Sequence, residues 1–404
     1  MNRTTGLTLT RLLMGVFLLP LSMGQSLLAQ NEAVLHSFGG YGDGIYPMAG
    51  LVLDKQGNLY GTTSRGGTFA GGTIFELSPA GSETLLWAFG SEKDGYGSIA
   101  PLAIDKLGHL FGTTQLGGAN FEGTVFEVPS YQEEQVLYSF ENSGIKDGIQ
   151  PFGGLLVNSQ GVAFGTTVGG GTASCKCGTI FKWKPPNTET VLHSFTDAPD
   201  GNQPFAGLVK FRGSYFGTTH QGGGGSCSNG CGTVFKITTN GKEKVLYRFA
   251  GGNDGSQPGY GALVADKQGN LYGTTIYGGL SGKGVVFELS PTGEQQTLYS
   301  FNGAADGGNP AGGLIMDKEG NLYGMTSSGG GSCSCGTVFE LTPAGTFVVL
   351  HAFSGSDGKY PQGTLIMDKK GNLFGTTNEG GDFGYGTVFM VKGAGGPAMK
   401  PSRF

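Results

Sequence analysis

The chain has 404 residues, 80 of them glycine, with 37% apolar and 11% aromatic residues. Glycine at roughly three times its average usage of about 7%, without a Gly-X-Y period, excludes collagen, and the apolar content excludes simple disorder. A net charge of −5 with no Lys/Arg cluster makes nucleic acid and anionic membrane poor partners.

Residues 1–29 have the layout of a secretory signal. Arg3 and Arg11 precede the apolar run from Leu12 to Leu21, and small residues follow at Ser22 to Gly24 and at Ala29. The run is about half the roughly 20 residues that span a bilayer, and no later stretch comes closer, so no transmembrane segment is expected after cleavage. Cleavage removes two arginines and no acid, which moves the charge from −5 to −7.

The rest of the chain repeats. Gly-Thr-Thr stands at Gly61, Gly112, Gly165, Gly217, Gly273 and Gly375, with Gly324-Met325-Thr326 as a further copy, at spacings of 51, 53, 52, 56, 51 and 51. A period near fifty suits a four-stranded propeller blade. In the first copy Leu51 to Leu53 is a strand, Asp54 to Asn58 a tight turn, and Leu59 to Thr63 a second strand. Gly72 to Leu77 follows as the third, and a Ser78-Pro79-Ala80-Gly81 turn leads into the fourth, Thr84 to Phe89. The chain opens at Val34 to Phe38, a fourth strand with no blade before it, and ends its repeats at Gly386 to Phe389, a third strand with no fourth. Pairing them closes a ring without exposed edges. The expectation is therefore an all-β, seven-bladed β-propeller of four-stranded repeats over residues 30–393, closed by the N-terminal strand, with a tail over 394–404.

Asp-Lys-x-Gly-Asn-Leu-Tyr-Gly-Thr-Thr at Asp266 to Thr275 and Gly-Thr-Val-Phe-Glu-Leu at Gly336 to Leu341 resemble the tandem GloVer repeat family of exported bacterial proteins. The resemblance covers all seven units and implies a propeller-like scaffold with no assigned activity. Members commonly carry a C-terminal surface anchor. Gly393 to Phe404 contains no apolar segment, so release is expected over tethering.

Short, similar turns join strands one to two and three to four, and longer, variable loops share the opposite face, where binding usually sits. Asp-Gly recurs there at Asp43, Asp94, Asp147, Asp200, Asp254, Asp306 and Asp357, with proline four residues on in every unit but the second. A ring of carboxylates can bind a cation or polar ligand, but Asp-Gly-x-x-Pro reads first as turn chemistry. Asp54 and its equivalents lack the ligand spacing of an EF-hand. The residues that vary between copies are the binding candidates, expected around the channel mouth. Arg65, Gln115, His220, Gln221, Tyr277, Asn378 and Glu379 follow the Thr-Thr pairs; Tyr46, Gln150, Gln203, Gln257, Asn309 and Tyr360 follow the Asp-Gly pairs, where the second unit has Gly97. Amides and tyrosines in a ring suit a carbohydrate or a peptide.

Cys175 and Cys177, Cys227 and Cys231, and Cys333 and Cys335 fall in three extended loops between strands two and three. In an exported protein this reads as one disulfide per loop. Crossed disulfides or one zinc site shared by Cys175, Cys177, Cys227 and Cys231 are the alternatives. His36, His193 and His351 share a fourth-strand position with Trp87, Tyr138, Tyr247 and Tyr299 and read as framework; His109 replaces a turn asparagine. No catalytic motif and no cofactor site is read from the sequence. The expected function is a monomeric, exported or surface module binding glycan or envelope protein. A polysaccharide hydrolase or lyase using Glu379 or the inter-blade aspartates, and a purely structural envelope protein, are the competing readings.

Overall fold

A computed structural model describes residues 32–40, 42–90, 93–129, 133–141 and 147–396. The expected signal segment and most of the tail lie outside these. The described chain is all β and forms seven antiparallel sheets. Blade 1 comprises Val52–Leu53, Leu59–Thr63, Thr73–Leu77 and Glu83–Ala88. Blades 2 to 6 repeat this order over 103–139, 156–194, 209–248, 264–300 and 315–352. Blade 7 takes Ile366–Met367, Leu373–Thr377 and Thr387–Val391 from the end of the chain and its outer strand, Glu32–Ser37, from the beginning. Glu32 pairs with Val391 and Ser37 with Thr387, which closes the ring.

Each repeated residue has a packing reason. Gly61 faces Phe75 across the second and third strands, and a Cβ there would lie 2.5 Å from the ring and 2.8 Å from Leu51 Cδ2. All seven triplet glycines meet the equivalent phenylalanine in this way. The last threonine of the triplet bonds the first residue of the third strand: Thr63 Oγ1 lies 2.8 Å from Thr73 Oγ1, and the pair recurs in blades 2, 3, 4, 6 and 7. In blade 5, Val285 replaces the partner, and its amide donates to Thr275 Oγ1 at 3.3 Å. Both hydroxyls are buried, so the pairing satisfies groups that would otherwise be costly.

The apolar core is divided among the seven junctions rather than pooled. Between blades 1 and 2, for example, Ile74 and Phe89 pack with Leu102, Leu110 and Phe126. A phenylalanine after each outer strand inserts against the next blade's central phenylalanine: Phe38 against Phe75 and Phe353 against Phe389, at 5.2 and 5.0 Å between centroids. Each such side chain is essentially inaccessible to solvent.

Candidate functional site

The two series of variable residues meet on the long-loop face. In each blade the segment after Asp-Gly runs antiparallel to the segment after Thr-Thr. Ile45 N donates to Arg65 O at 2.8 Å and Arg65 N to Ile45 O at 3.2 Å. Asn202 and Gln221, and Lys359 and Glu379, exchange the same pair. In blades 3 and 5 this segment is regular enough to form an added strand, Gly148–Pro151 and Ser256–Pro258.

The residue two places after each Asp-Gly holds neighbouring blades together. Tyr46 N donates to Tyr385 O, Gln203 N to Cys177 O and Asn309 N to Lys283 O, each time to the preceding blade. Geometry forces this residue into the left-handed region. Tyr46, Gln150, Gln203, Gln257, Asn309 and Tyr360 have φ between 54° and 60°, and Gly97 has 70°. For an L-residue that conformation costs about 1–2 kcal/mol. Glycine adopts it freely and blade 2 uses glycine, so in six blades a side chain is kept where the backbone would be better served without one.

Among the candidates, Arg65, Tyr277 and Tyr360 are exposed and Gln115, Gln221, Glu379, Gln150, Gln203, Gln257 and Asn309 half-buried. His220 departs from the expected open rim. It is 9% exposed, stacks on Tyr260 with Phe205 edge-on, and its Nδ1 lies 3.1 Å from Pro258 O. Burial lowers its pKa, partly opposed by that carbonyl. The reason is tertiary: blades 3 to 5 place Phe152, Phe205 and Tyr260 on their innermost segments, where the three rings pack together and Phe205 and Tyr260 cover His220. Asn378 is also drawn inward, its Oδ1 buried.

The tips of the loops between strands two and three carry what the sequence reading passed over. Where the loop is short, a large apolar side chain stands out from it. Phe383, Phe69 and Phe121 are 60%, 63% and 59% exposed on three consecutive blades, 7, 1 and 2, and Leu280 is 80% exposed on blade 5. The signal was available: each is a bulky apolar residue two to four places after the first glycine of a Gly-Gly pair, in a glycine-rich, otherwise largely small or polar loop. Blades 3, 4 and 6 instead close disulfides, Cys175–Cys177, Cys227–Cys231 and Cys333–Cys335. No cysteine is shared between loops, so the zinc site of four cysteines across blades 3 and 4 has no free thiolate to form it.

The inter-blade aspartates are engaged in structure. Asp254 Oδ2 accepts from Ala250 N at 2.7 Å and from Tyr247 OH at 2.9 Å. The same outer-strand position supplies His36, Trp87, Tyr138, His193, Tyr299 and His351 to the other six aspartates. Every one of these rings carries an N–H or O–H, and none is phenylalanine; that restriction was the sequence signal for the contact. The turns on the other face are equally committed. Asp54 Oδ1 accepts the amides of Gln56, Gly57 and Asn58, and its Oδ2 accepts Tyr60 OH, whose pKa burial pushes up to about 12. In blade 2 Phe111 lacks the hydroxyl, and His109 takes its place, with Nδ1 2.9 Å from Glu127 and 3.6 Å from Asp105. A cleft on this short-turn face, between blades 5 and 6, is lined by such capping groups, Asp266 and Asp317 among them.

Residues 25–229 and 223–399 match the Gloeobacter/Verrucomicrobia repeat. No protein of curated function matches the chain. Among solved structures, a protein described as the extracellular domain of a one component system, BT4673 from B. thetaiotaomicron, superposes with a TM-score of 0.56 at 11% identity. The match covers 88% of this chain and 39% of that one. The extracellular domain of a hybrid two component system, BT3049 from the same organism, gives 0.56 at 13% identity, over 90% and 41%. At these identities the likeness is one of fold, and this chain spans about two fifths of the length of those structures.

Proposed function

This chain belongs to the Gloeobacter/Verrucomicrobia repeat family, and we propose that it is an exported, monomeric recognition module that binds a glycan on its long-loop face. The observation that carries this reading is the run of exposed rings at Phe383, Phe69 and Phe121 on three consecutive blades. Phenyl groups about three fifths exposed add little to the packing of the folded chain, and exposed apolar surface framed by polar groups marks interaction sites. Sugar rings present C–H faces that pack on aromatic rings and hydroxyls that need donors and acceptors. Gln150, whose backbone amide donates to Glu122 O beside Phe121, carries a side-chain amide that supplies both. Export is supported by the disulfides, which persist in oxidising compartments, and by the extracellular setting of the structurally similar domains. Among the described residues no helix is long and apolar enough to cross a membrane.

The test is a screen of the purified protein against immobilised oligosaccharides, repeated with the F69A/F121A/F383A variant. Binding at micromolar protein that the triple variant loses at least tenfold, with an unchanged melting temperature, is the expected result. A blank array alongside a specific envelope protein captured through the same three rings moves the reading to a protein ligand. A blank in both leaves the face without a partner and overturns the recognition reading.

A further inference from the structure

The outer strands of adjacent blades meet over a second, separate set of side chains. Five glutamates, Glu32, Glu83, Glu134, Glu189 and Glu243, stand within one residue of the start of an outer strand. Each has a buried Oε1 with no hydrogen-bond partner. Each also lies within electrostatic reach of the Asp-Gly aspartate at the junction with the preceding blade. At two of the three junctions where the aromatic partner of that aspartate is histidine, three potential metal ligands converge.

Between blades 3 and 4, His193, Asp200 and Glu243 each bring one ligand atom into a group within 4.8 Å of one another. Between blades 6 and 7, His351, Asp357 and Glu32 do the same. His193 Nε2 and His351 Nε2 each sit 3.0 Å from the aspartate Oδ2. Between blades 7 and 1 the set recurs as His36, Asp43 and Glu83, with the His–Asp distance opened to 3.4 Å. At the first junction a second orphan points the same way: Asp200 Oδ1 is buried without a partner, as is Glu243 Oε1. Two buried carboxylate oxygens without donors next to an imidazole call for a cation. Arg248, a second positive group near Glu243, donates its Nε to Pro199 O.

We propose that the His193–Asp200–Glu243 and His351–Asp357–Glu32 clusters bind divalent transition-metal ions of the zinc class, clasping one blade to the next. One imidazole nitrogen and two carboxylate oxygens are ligands that zinc accepts, with bonds of about 2.0–2.2 Å and a fourth position left for water. A tetrahedral centre of that size separates its ligands by roughly 3.3 Å, close to the 3.0 Å between histidine and aspartate in both clusters. Imidazole favours zinc over the all-oxygen ions calcium and magnesium. The His–Asp pairs are 12–21% exposed, which leaves a path for the ion. These sites lie at the outer-strand junctions and are independent of the glycan reading.

The chain supplies its own control, because Tyr138, Tyr247 and Tyr299 occupy the histidine position at other junctions and keep the bond to aspartate. The test is metal analysis and thermal melting of the tag-free protein, equilibrated with Zn2+ and then with EDTA. About two equivalents of zinc per chain are expected, with a weaker third at His36. EDTA should lower the melting temperature by several degrees, and Ca2+ should not restore it. H193Y and H351Y should each remove one equivalent while melting like the EDTA-treated wild type. E243Q, which leaves the His193–Asp200 bond intact, should weaken one site at least tenfold. Absence of bound zinc, the result expected of an imidazolium held between two carboxylates, overturns the proposal. So does zinc retained by H36Y/H193Y/H351Y, which would place the metal elsewhere.

Discussion

Blades 7, 1 and 2 and blades 3 and 4 share one scaffold but finish the same loop in opposite ways. In the first sector an eight-residue loop holds a phenylalanine out into solvent; in the second the loop is longer and closes a disulfide. The strands, the glycine–phenylalanine contacts and the threonine pairs beneath are the same in both. The fold therefore needs neither ending. A ring left mostly exposed points to a role outside the chain, whereas a disulfide acts on the chain itself.

That contrast can be broken at the level of the scaffold. Phe75→Ala in blade 1 and Phe235→Ala in blade 4 remove equivalent buried rings and should each cost about 3–5 kcal/mol by chemical denaturation. A cost confined to one sector would show that the two are not one scaffold.

The junctions of blade 2 give the next largest effect. Burial, with Asp94 adding to it, raises the Glu134 pKa to about 8, and burial with Asp147 does the same for Glu189. A carboxyl whose folded pKa lies above its unfolded value binds its proton more tightly when folded. Its contribution is complete below pH 4.5 and is lost as pH rises through 8. Melting followed from pH 5 to pH 9 should show a loss on the order of a few kcal/mol. E134Q/E189Q, which imitates the protonated acids, should flatten that slope. A wild-type protein equally stable at both ends would mean these groups ionise freely in the folded state.

Within the loops the expected effects are smaller. Opening Cys227–Cys231 with C227S/C231S should cost about 2 kcal/mol on the chain-entropy relation and leave ligand binding unchanged. F69A/F121A/F383A should do the reverse, leaving stability within about 0.5 kcal/mol. If the disulfide variant lost binding as well, the division of labour between sectors would fail. Smallest of all, Gly97→Gln imposes on blade 2 the backbone that the other blades accept and should cost about 1 kcal/mol. A neutral result would mean that position is not strained.

The blade count, the strand boundaries and the closure of the ring were legible in the sequence, because a repeat read seven times averages out the ambiguity of any single segment. The offset of Val34 to Phe38 against Gly386 to Phe389 had one economical explanation, and the Glu32–Ser37 strand pairs as that offset requires. The candidate site was legible only in part. That the two variable series share a face followed from the alternation of turns, but their backbone pairing and the positive φ of Tyr46 and its equivalents did not. That conformation goes with a bond to the preceding blade, more than twenty residues upstream for Gln203 or Asn309 and near the other end of the chain for Tyr46.

His220 shows the same limit. Its position after Thr-Thr is that of a rim residue, yet Tyr260 and Pro258 of the next blade, with Phe205 of its own, decide that it is buried. The junction clusters are set by tertiary structure for the same reason: His193 and Glu243 are 50 positions apart and meet only because consecutive outer strands lie side by side. Local pattern determined what each blade is, since strand and turn preferences act over a few residues. Contact between blades determined what the protein presents to other molecules, since burial, strain and ligand geometry belong to pairs of blades that sequence spacing does not bring together.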